Sequence, residues 1–362
     1  MNIAILRRSY ITYLDGVNNF IFSLAAGLES LGHDIHVISW GFNGVEKPEY
    51  LTEWAQKTYG AKTNITILRN RPSESTPWIR IAWDWTTKGS RILKDLNIDG
   101  VIINGIISLR FNGKKIAVNH GIYEISANRL TKTIAKYLYK KCIRICVSNK
   151  LAQEYSSFFG LDSQVIPLPL RLKMFKSRSI NERENVILHV GTRPIKNLNV
   201  SIEAVKMLKK KRMHPRLIVV GPKCDYSENL VERARECDVD IETKYSIPLS
   251  ELADLYSKAK ALILPSKYEA VAYATIESMA SGTPVVVSNE IPTDVVSNGH
   301  NGFRINTYHP ADYAEALAIL LKDQELWTRL SENAISSVTR FDHIEIAKKY
   351  AKLMMHGLST AK

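Results

Sequence analysis

At 362 residues, with 45% hydrophobic and 23% charged side chains, the chain is long enough for two α/β domains with separate cores, and its composition excludes general disorder. Its formal charge of +13 attracts anions, whether nucleic acid, anionic membrane or phosphorylated substrate, and by itself chooses none of them. No run reaches the roughly 20 apolar residues that span a bilayer, and Met1 to Leu6 reads as a strand rather than a secretory leader. Cys142, Cys146, Cys224 and Cys237 form neither a zinc-type C-x-x-C pair nor a disulfide framework, so a reduced cytoplasmic setting is expected.

In chain order, short apolar runs predict strands at 3–6, 35–39, 65–68, 101–103, 116–118 and 143–147. Helical patterns fall between several of them, at 19–30, 79–96 and 130–141. The second half repeats the scheme, with strands at 186–190, 217–220, 239–242, 261–264 and 284–288. Its helices are expected at 199–210, 228–236, 249–258, 273–281, 310–322 and finally 344–356. Alternating α and β with nearly continuous apolar strands is the signature of parallel sheets covered on both faces. The pattern breaks at 171–184, a basic run with little apolar periodicity. This gives a first domain over 1–171, a linker over 172–184, a second domain over 185–341 and a last segment over 342–362.

Two segments invite a membrane reading. Between Glu124 and Glu154 there is no acidic residue, and Arg129, Lys132, Lys136 and Lys140 recur at helical steps beside an apolar face of Leu130, Ile134, Tyr137 and Leu138. Such a face is either a solvated surface or a peripheral contact with an anionic membrane or acidic partner. In the tryptophan-rich stretch 78–85, Trp78, Ile81 and Trp85 share a helical face, and core packing on the first sheet is the expected use.

The stretch 264–288 carries the most chemistry, reading strand, loop, helix, glycine turn and strand. Its loop reaches the C-terminal edge of a parallel sheet, where open α/β folds take ligands. A helix starting near Val271, Ala272 and Tyr273 offers free N–H groups and its dipole to a diphosphate. Glu277, about one turn into that helix, can accept hydrogen bonds from two ribose hydroxyls, and Glu269 can reach hydroxyls of a transferred sugar. The plainer reading makes both glutamates helix-start residues favoured by the dipole.

Glu269 and Glu277 with their spacing resemble the E-x7-E signature of retaining GT-B glycosyltransferases, notably glycosyltransferase family four. Other segments resemble that family in order: Asp15-Gly16-Val17, GHDIHVIS from Gly32, VNHG from Val118, VSNKLAQEY, VIPLPL, VGTRPIKN from Val190 and IPTDVVSNGHNGFRI. The resemblance covers nearly the whole chain. It implies an α/β GT-B fold, with two Rossmann-like parallel-sheet domains facing a cleft, acceptor on the first and donor on the second. The last helix is then expected to cross back to the first domain.

The activity implied is transfer of a sugar from a UDP- or GDP-linked donor, with retention, to a glycan, a lipid-linked glycan or a small molecule. No metal and no resident cofactor are implied. Arg193 and Lys196 would neutralise the donor diphosphate and its leaving charge. His120 would contact the donor sugar or its phosphate, Gly16 would admit close backbone approach, and Pro222 would lie near the base. Catalysis is thus expected at Glu269, His120, Arg193 and Lys196, and donor binding at Gly16, Arg193, Lys196, Pro222, Val271, Ala272, Tyr273 and Glu277. Asp238-Val239-Asp240 resembles a metal-binding Asp-x-Asp, but it enters a strand instead of leaving one. The chain departs from the family at Ala270 and Ala272, where glycines are usual, and at Asn289 to Thr293, which puts donor choice in question. Other readings are a non-catalytic nucleotide-sugar-binding subunit, a GT-B sugar phosphorylase or epimerase, and, on charge alone, a nucleic-acid binder, which the resemblance disfavours.

Overall fold

The computed structural model describes residues 1–11, 15–42, 48–59, 61–71, 78–121 and 129–355, which divide into two compact units. The first unit is Met1–Pro169 with Phe341–Lys362, and the second is Leu170–Arg340.

The first unit runs β1 (Asn2–Tyr10), α1 (Gly16–Ser30), β2 (Asp34–Phe42), α2 (Pro48–Tyr59), β3 (Asn64–Arg71), α3 (Trp78–Asp84), a π turn (Trp85–Gly89) and α4 (Ser90–Asp95). It continues with β4 (Gly100–Asn104), β5 (Lys114–Asn119), α5 (Arg129–Tyr139), β6 (Ile143–Cys146), α6 (Asn149–Phe159) and β7 (Gln164–Val165). The strands form one parallel sheet in the order β3-β2-β1-β4-β5-β6-β7. On one side Ile81 and Trp85 pack with Ala4, Leu6, Ile38 and Trp40, so the tryptophan-rich stretch does serve the core there. Trp78's side chain lies outside the described residues, and Trp83 points to solvent at 69% exposure. The expected single helix over 79–96 is broken by the π turn, where a Cβ on Gly89 would come 2.8 Å from the ring of buried Trp85.

The second unit runs β8 (Val186–Val190), α7 (Leu198–Lys210), β9 (Arg216–Gly221), α8 (Asp225–Glu236), β10 (Ile241–Tyr245), α9 (Leu249–Lys258) and β11 (Ala261–Leu264). It continues with α10 (Tyr273–Ala280), β12 (Val285–Ser288), β13 (Phe303–Ile305), α11 (Pro310–Lys322) and α12 (Gln324–Val338). Its sheet is parallel in the order β10-β9-β8-β11-β12-β13. Every residue of β11 and β12 is buried, as strands covered on both faces must be. The last helix, α13 (His343–Met355), packs on α1 in the first unit, where a Cβ on Gly27 would meet the His343 carbonyl oxygen at 2.5 Å.

Within the linker expected over 172–184, Arg183 is buried. Its guanidinium donates to the carbonyls of Tyr256, Ala259, Ser281 and Gly282 and to Thr283 Oγ1, closing the C-terminal ends of α9 and α10. On the basic stripe of α5, Arg129 and Lys140 are exposed, whereas Lys132 and Lys136 turn towards α6. Lys132 Nζ sits 4.1 Å above the Phe158 ring, and Lys136 Nζ lies 3.5 Å from where a Cβ on Gly160 would stand, at the C-terminus of α6.

Candidate functional site

Strand order reverses between β1 and β4 in one sheet and between β8 and β11 in the other. The crevice beyond the carboxyl ends of strands at such a reversal is where open α/β sheets bind ligands.

In the second unit the loop after β8 carries Arg193 and Lys196, and the loop after β11 carries Glu269. The two loops are joined by a Lys267 N–H bond to the Ile195 carbonyl (2.8 Å) and by an ion pair between Lys196 Nζ and Glu269 Oε1. Both ion-pair partners are largely shielded, so a pair that would count for little on the surface is held in a low-dielectric setting. Gly191 permits it. Its φ is +115°, and a Cβ there would stand 2.7 Å from Lys196 Cγ. The same turn is fixed from below by His189, whose ring bonds Ser201 Oγ and the Gly191 carbonyl, each at 2.8 Å. Burial pushes His189 down to about 4, so it is neutral. Arg193 is exposed, and among the described residues it has no ion-pair partner.

The helix α10 begins at Tyr273, as expected, behind a buried Val271. Ala272 takes φ +64° and ψ 105°, a backbone state that suits glycine. Its carbonyl accepts from Thr275 N–H at 3.1 Å. Glu277 is buried one turn inside, and Tyr256 donates its phenol to Glu277 Oε2 at 3.1 Å. Burial, reinforced by that carboxylate, pushes the Tyr256 phenol well above its usual range, so it stays a donor. Pro222 follows β9 and meets the loop after β8, its carbonyl accepting from Thr192 Oγ1 at 2.5 Å.

In the first unit the reversal between β1 and β4 gathers Arg7, Asp15, Asn104 and His120 near the strands' carboxyl ends. Asp15 caps α1 by accepting from Asn18 N–H at 2.9 Å and takes both guanidinium nitrogens of Arg7, at 3.2 and 2.7 Å. Gly16 opens the helix and is exposed. His120 packs edge-on against Phe20, and its Nε2 lies 2.9 Å from Asn104 Oδ1. Asn104 Nδ2 donates to the Leu6 carbonyl at 3.2 Å, so Oδ1 is the acceptor and His120 Nε2 carries the proton. Burial, aided by Arg7 and opposed by Asp15, lowers His120 to about 4. The ring is neutral, and its Nδ1 is left as an acceptor.

Asp238 and Asp240 are taken by Lys209 and Arg216, and among the described residues no group of His, Cys, Asp and Glu is placed to hold a metal. Sequence reasoning missed Tyr256 and Asn104, whose partners Glu277, His120 and Leu6 lie 16 or more residues away, and His189, which holds the Gly191 turn two residues on. Asn104 and His189 each carried a signal, a polar residue at or near the end of an apolar strand.

The family model for glycosyl transferases group 1 matches residues 171–337, and that for glycosyltransferase family 4 matches residues 14–172. An uncharacterized glycosyltransferase of Haemophilus influenzae is 24% identical over 88% of this chain and 90% of its own length. The N,N'-diacetylbacillosaminyl-diphospho-undecaprenol alpha-1,3-N-acetylgalactosaminyltransferase of Campylobacter jejuni is 25% identical over 71% of this chain and 64% of its own. Among solved structures, Anabaena HepE in complex with UDP and glucose superposes with a TM-score of 0.76 at 15% identity over 100% of both chains. The fold is therefore GT-B, with two Rossmann-like parallel-sheet domains, and the chain belongs to the group 1 glycosyltransferases of family four.

Proposed function

We propose that this glycosyltransferase moves a hexose-type sugar, with retention, from a UDP- or GDP-linked donor to a glycan or lipid-linked acceptor, without an essential metal or a resident cofactor. The observation that carries the reading is the Lys196–Glu269 pair at the β8/β11 reversal, close in sequence to the start of α10. On this reading the donor diphosphate takes the charge of Lys196 and Arg193 and the free N–H groups of α10, which together stabilise the departing phosphate. Glu277, steadied by Tyr256, accepts from the ribose hydroxyls. Glu269 is tied to an ammonium, which suits positioning of sugar hydroxyls better than nucleophilic attack. The acceptor oxygen then bonds to the anomeric carbon on the face the phosphate leaves, and its proton passes to the departing phosphate oxygen.

Support for the lipid-linked acceptor comes from the Campylobacter relative, whose name specifies a diphospho-undecaprenol, and support for UDP from the HepE complex. No helix among the described residues is long and apolar enough to cross a membrane, so a cytoplasmic protein meeting the inner face of the cell membrane from outside the bilayer is the setting we propose. The test is incubation with UDP- and GDP-sugars in excess EDTA. Slow release of nucleoside diphosphate from one donor is expected. Nucleotide binding without any release would instead favour a non-catalytic subunit, for which the strained Ala272 at the donor helix is the motivating observation.

A further inference from the structure

His120 is half-buried, and among the described residues one hydrogen bond, from Nε2 to Asn104 Oδ1, holds its ring. A single bond fixes one ring nitrogen and leaves the plane free to swing about it, and with the plane the direction of Nδ1. Phe20 of α1 supplies the missing restraint. Its ring meets the imidazole at 75°, with centroids 4.7 Å apart. Phe20 is fully buried and in turn meets Tyr350 of α13, at 70° and 6.2 Å. Both contacts have the edge-to-face geometry that aromatic pairs favour. Tyr350 is firmly placed because α13 is docked at both ends. Near its start Gly27 of α1 lets the His343 carbonyl approach. Near its end a Cβ on Gly100 would stand 2.6 Å from Met354 Sδ, and Lys114 Nζ donates to the carbonyls of Leu353 and Met354 at 3.0 and 2.6 Å. Lys114 begins β5, the strand that delivers His120 at its other end. The Tyr350 hydroxyl is buried with no hydrogen-bond partner among the described residues, so position 350 contributes a ring.

We propose that Phe20 and Tyr350 are positioning residues for the transfer reaction, which through the contact Tyr350–Phe20–His120 set the plane of the imidazole and so the direction in which Nδ1 offers its lone pair. A substrate hydroxyl must meet that nitrogen within the angular tolerance of a hydrogen bond, and a small misplacement costs more in rate than in binding. The last helix is thereby part of the catalytic arrangement of the first unit as well as a brace for α1. Its contribution is made by aromatic packing, without any charged or hydrogen-bonding group of its own. The inference rests on His120 meeting the substrate, as the proposed function has it, and adds what holds the ring there.

The test is donor turnover and the NMR signals of the His120 ring in the full chain, for Tyr350→Leu, Tyr350→Phe and Phe20→Leu. In Tyr350→Leu kcat is expected to fall about tenfold and in Phe20→Leu further, with donor KM changed less than about twofold. The His120 signals, shifted in the wild type by the neighbouring Phe20 ring, should move or broaden in both. Tyr350→Phe keeps the ring and should restore kcat and signals. Leu93→Ala, in the cluster around Trp85, gives the pattern of a purely structural loss: a lower Tm with kcat and His120 signals unchanged well below it. Unmoved His120 signals in folded Tyr350→Leu would overturn the proposal, as would full kcat there while His120→Ala loses it. If neither leucine variant folds, the wild type decides. Nuclear Overhauser contacts from His120 to Phe20 and from Phe20 to Tyr350 are expected, and their absence overturns the proposal. Wild-type kcat in His120→Ala would overturn the proposal together with the role of His120 on which it rests.

Discussion

Asn104 Oδ1 lies 2.9 Å from His120 Nε2, and this one contact decides which nitrogen of the imidazole is offered to a ligand. Because the amide nitrogen is spent on the Leu6 carbonyl, the histidine must donate, and its Nδ1 can only accept. A hydroxyl fits such a nitrogen better than a phosphate does. Asn104→Asp should raise His120 from about 4 towards or above its ordinary value by placing a carboxylate against Nε2–H, and should cut turnover near neutrality by about tenfold. An NMR titration of the ring signals reads the first effect, and a pH–rate profile reads the second. An unchanged titration midpoint would refute the assigned tautomer.

Acid should weaken the second unit through His189. Its folded value of about 4 lies below the unfolded one, so the unfolded chain takes up the proton first as pH falls. The contribution is complete above about 6.5 and is lost progressively as pH falls towards 4, for a total of up to about 3 kcal/mol. His189→Gln, which cannot titrate, should start less stable at pH 7 and show a shallower fall in melting temperature between pH 7 and 4.5. Parallel melting curves for the two proteins would count against this assignment.

Tyr256→Phe removes one hydrogen bond to Glu277 and no apolar bulk. The donor KM should rise by about fivefold, from a loss of about 1 kcal/mol, with kcat little changed. If Glu277 reads the ribose, discrimination between ribo- and 2′-deoxyribonucleotide donors should narrow as well. A purely structural tyrosine would lower stability without touching that ratio.

Ala272 holds a positive φ that its Cβ disfavours. Ala272→Gly should therefore stabilise the protein by about 1 kcal/mol, seen as a rise of a few degrees in Tm, despite the greater freedom glycine has when unfolded. A fall in Tm would mean the alanine side chain is packed usefully at the start of α10.

Much of the fold can be read from the chain because its buried strands are nearly unbroken apolar runs, as at Leu262 to Leu264 and Val285 to Val287. The helix α12 escapes such reading because its inward face, Trp327, Leu330, Ser331, Ala334 and Val338, includes a serine that bonds the Gly282 carbonyl. The strand β13 escapes because it has three half-buried residues at a sheet edge. At the site, Lys196 and Glu269 were both legible as motif residues, but their ion pair was not. It depends on the β8/β11 reversal and on Gly191 leaving room for the lysine stem. Tyr256 is invisible in sequence because nothing local distinguishes it from an ordinary core tyrosine.

The proposed function rests on the paired Lys196 and Glu269 as the donor's reaction centre. The most direct measurement is donor turnover by Lys196→Ala and Glu269→Ala, each checked for an unchanged circular dichroism spectrum. Both variants are expected to lose at least about a hundredfold in kcat, the scale of removing a group that stabilises developing charge or orients the sugar. Wild-type turnover in both folded variants would contradict it.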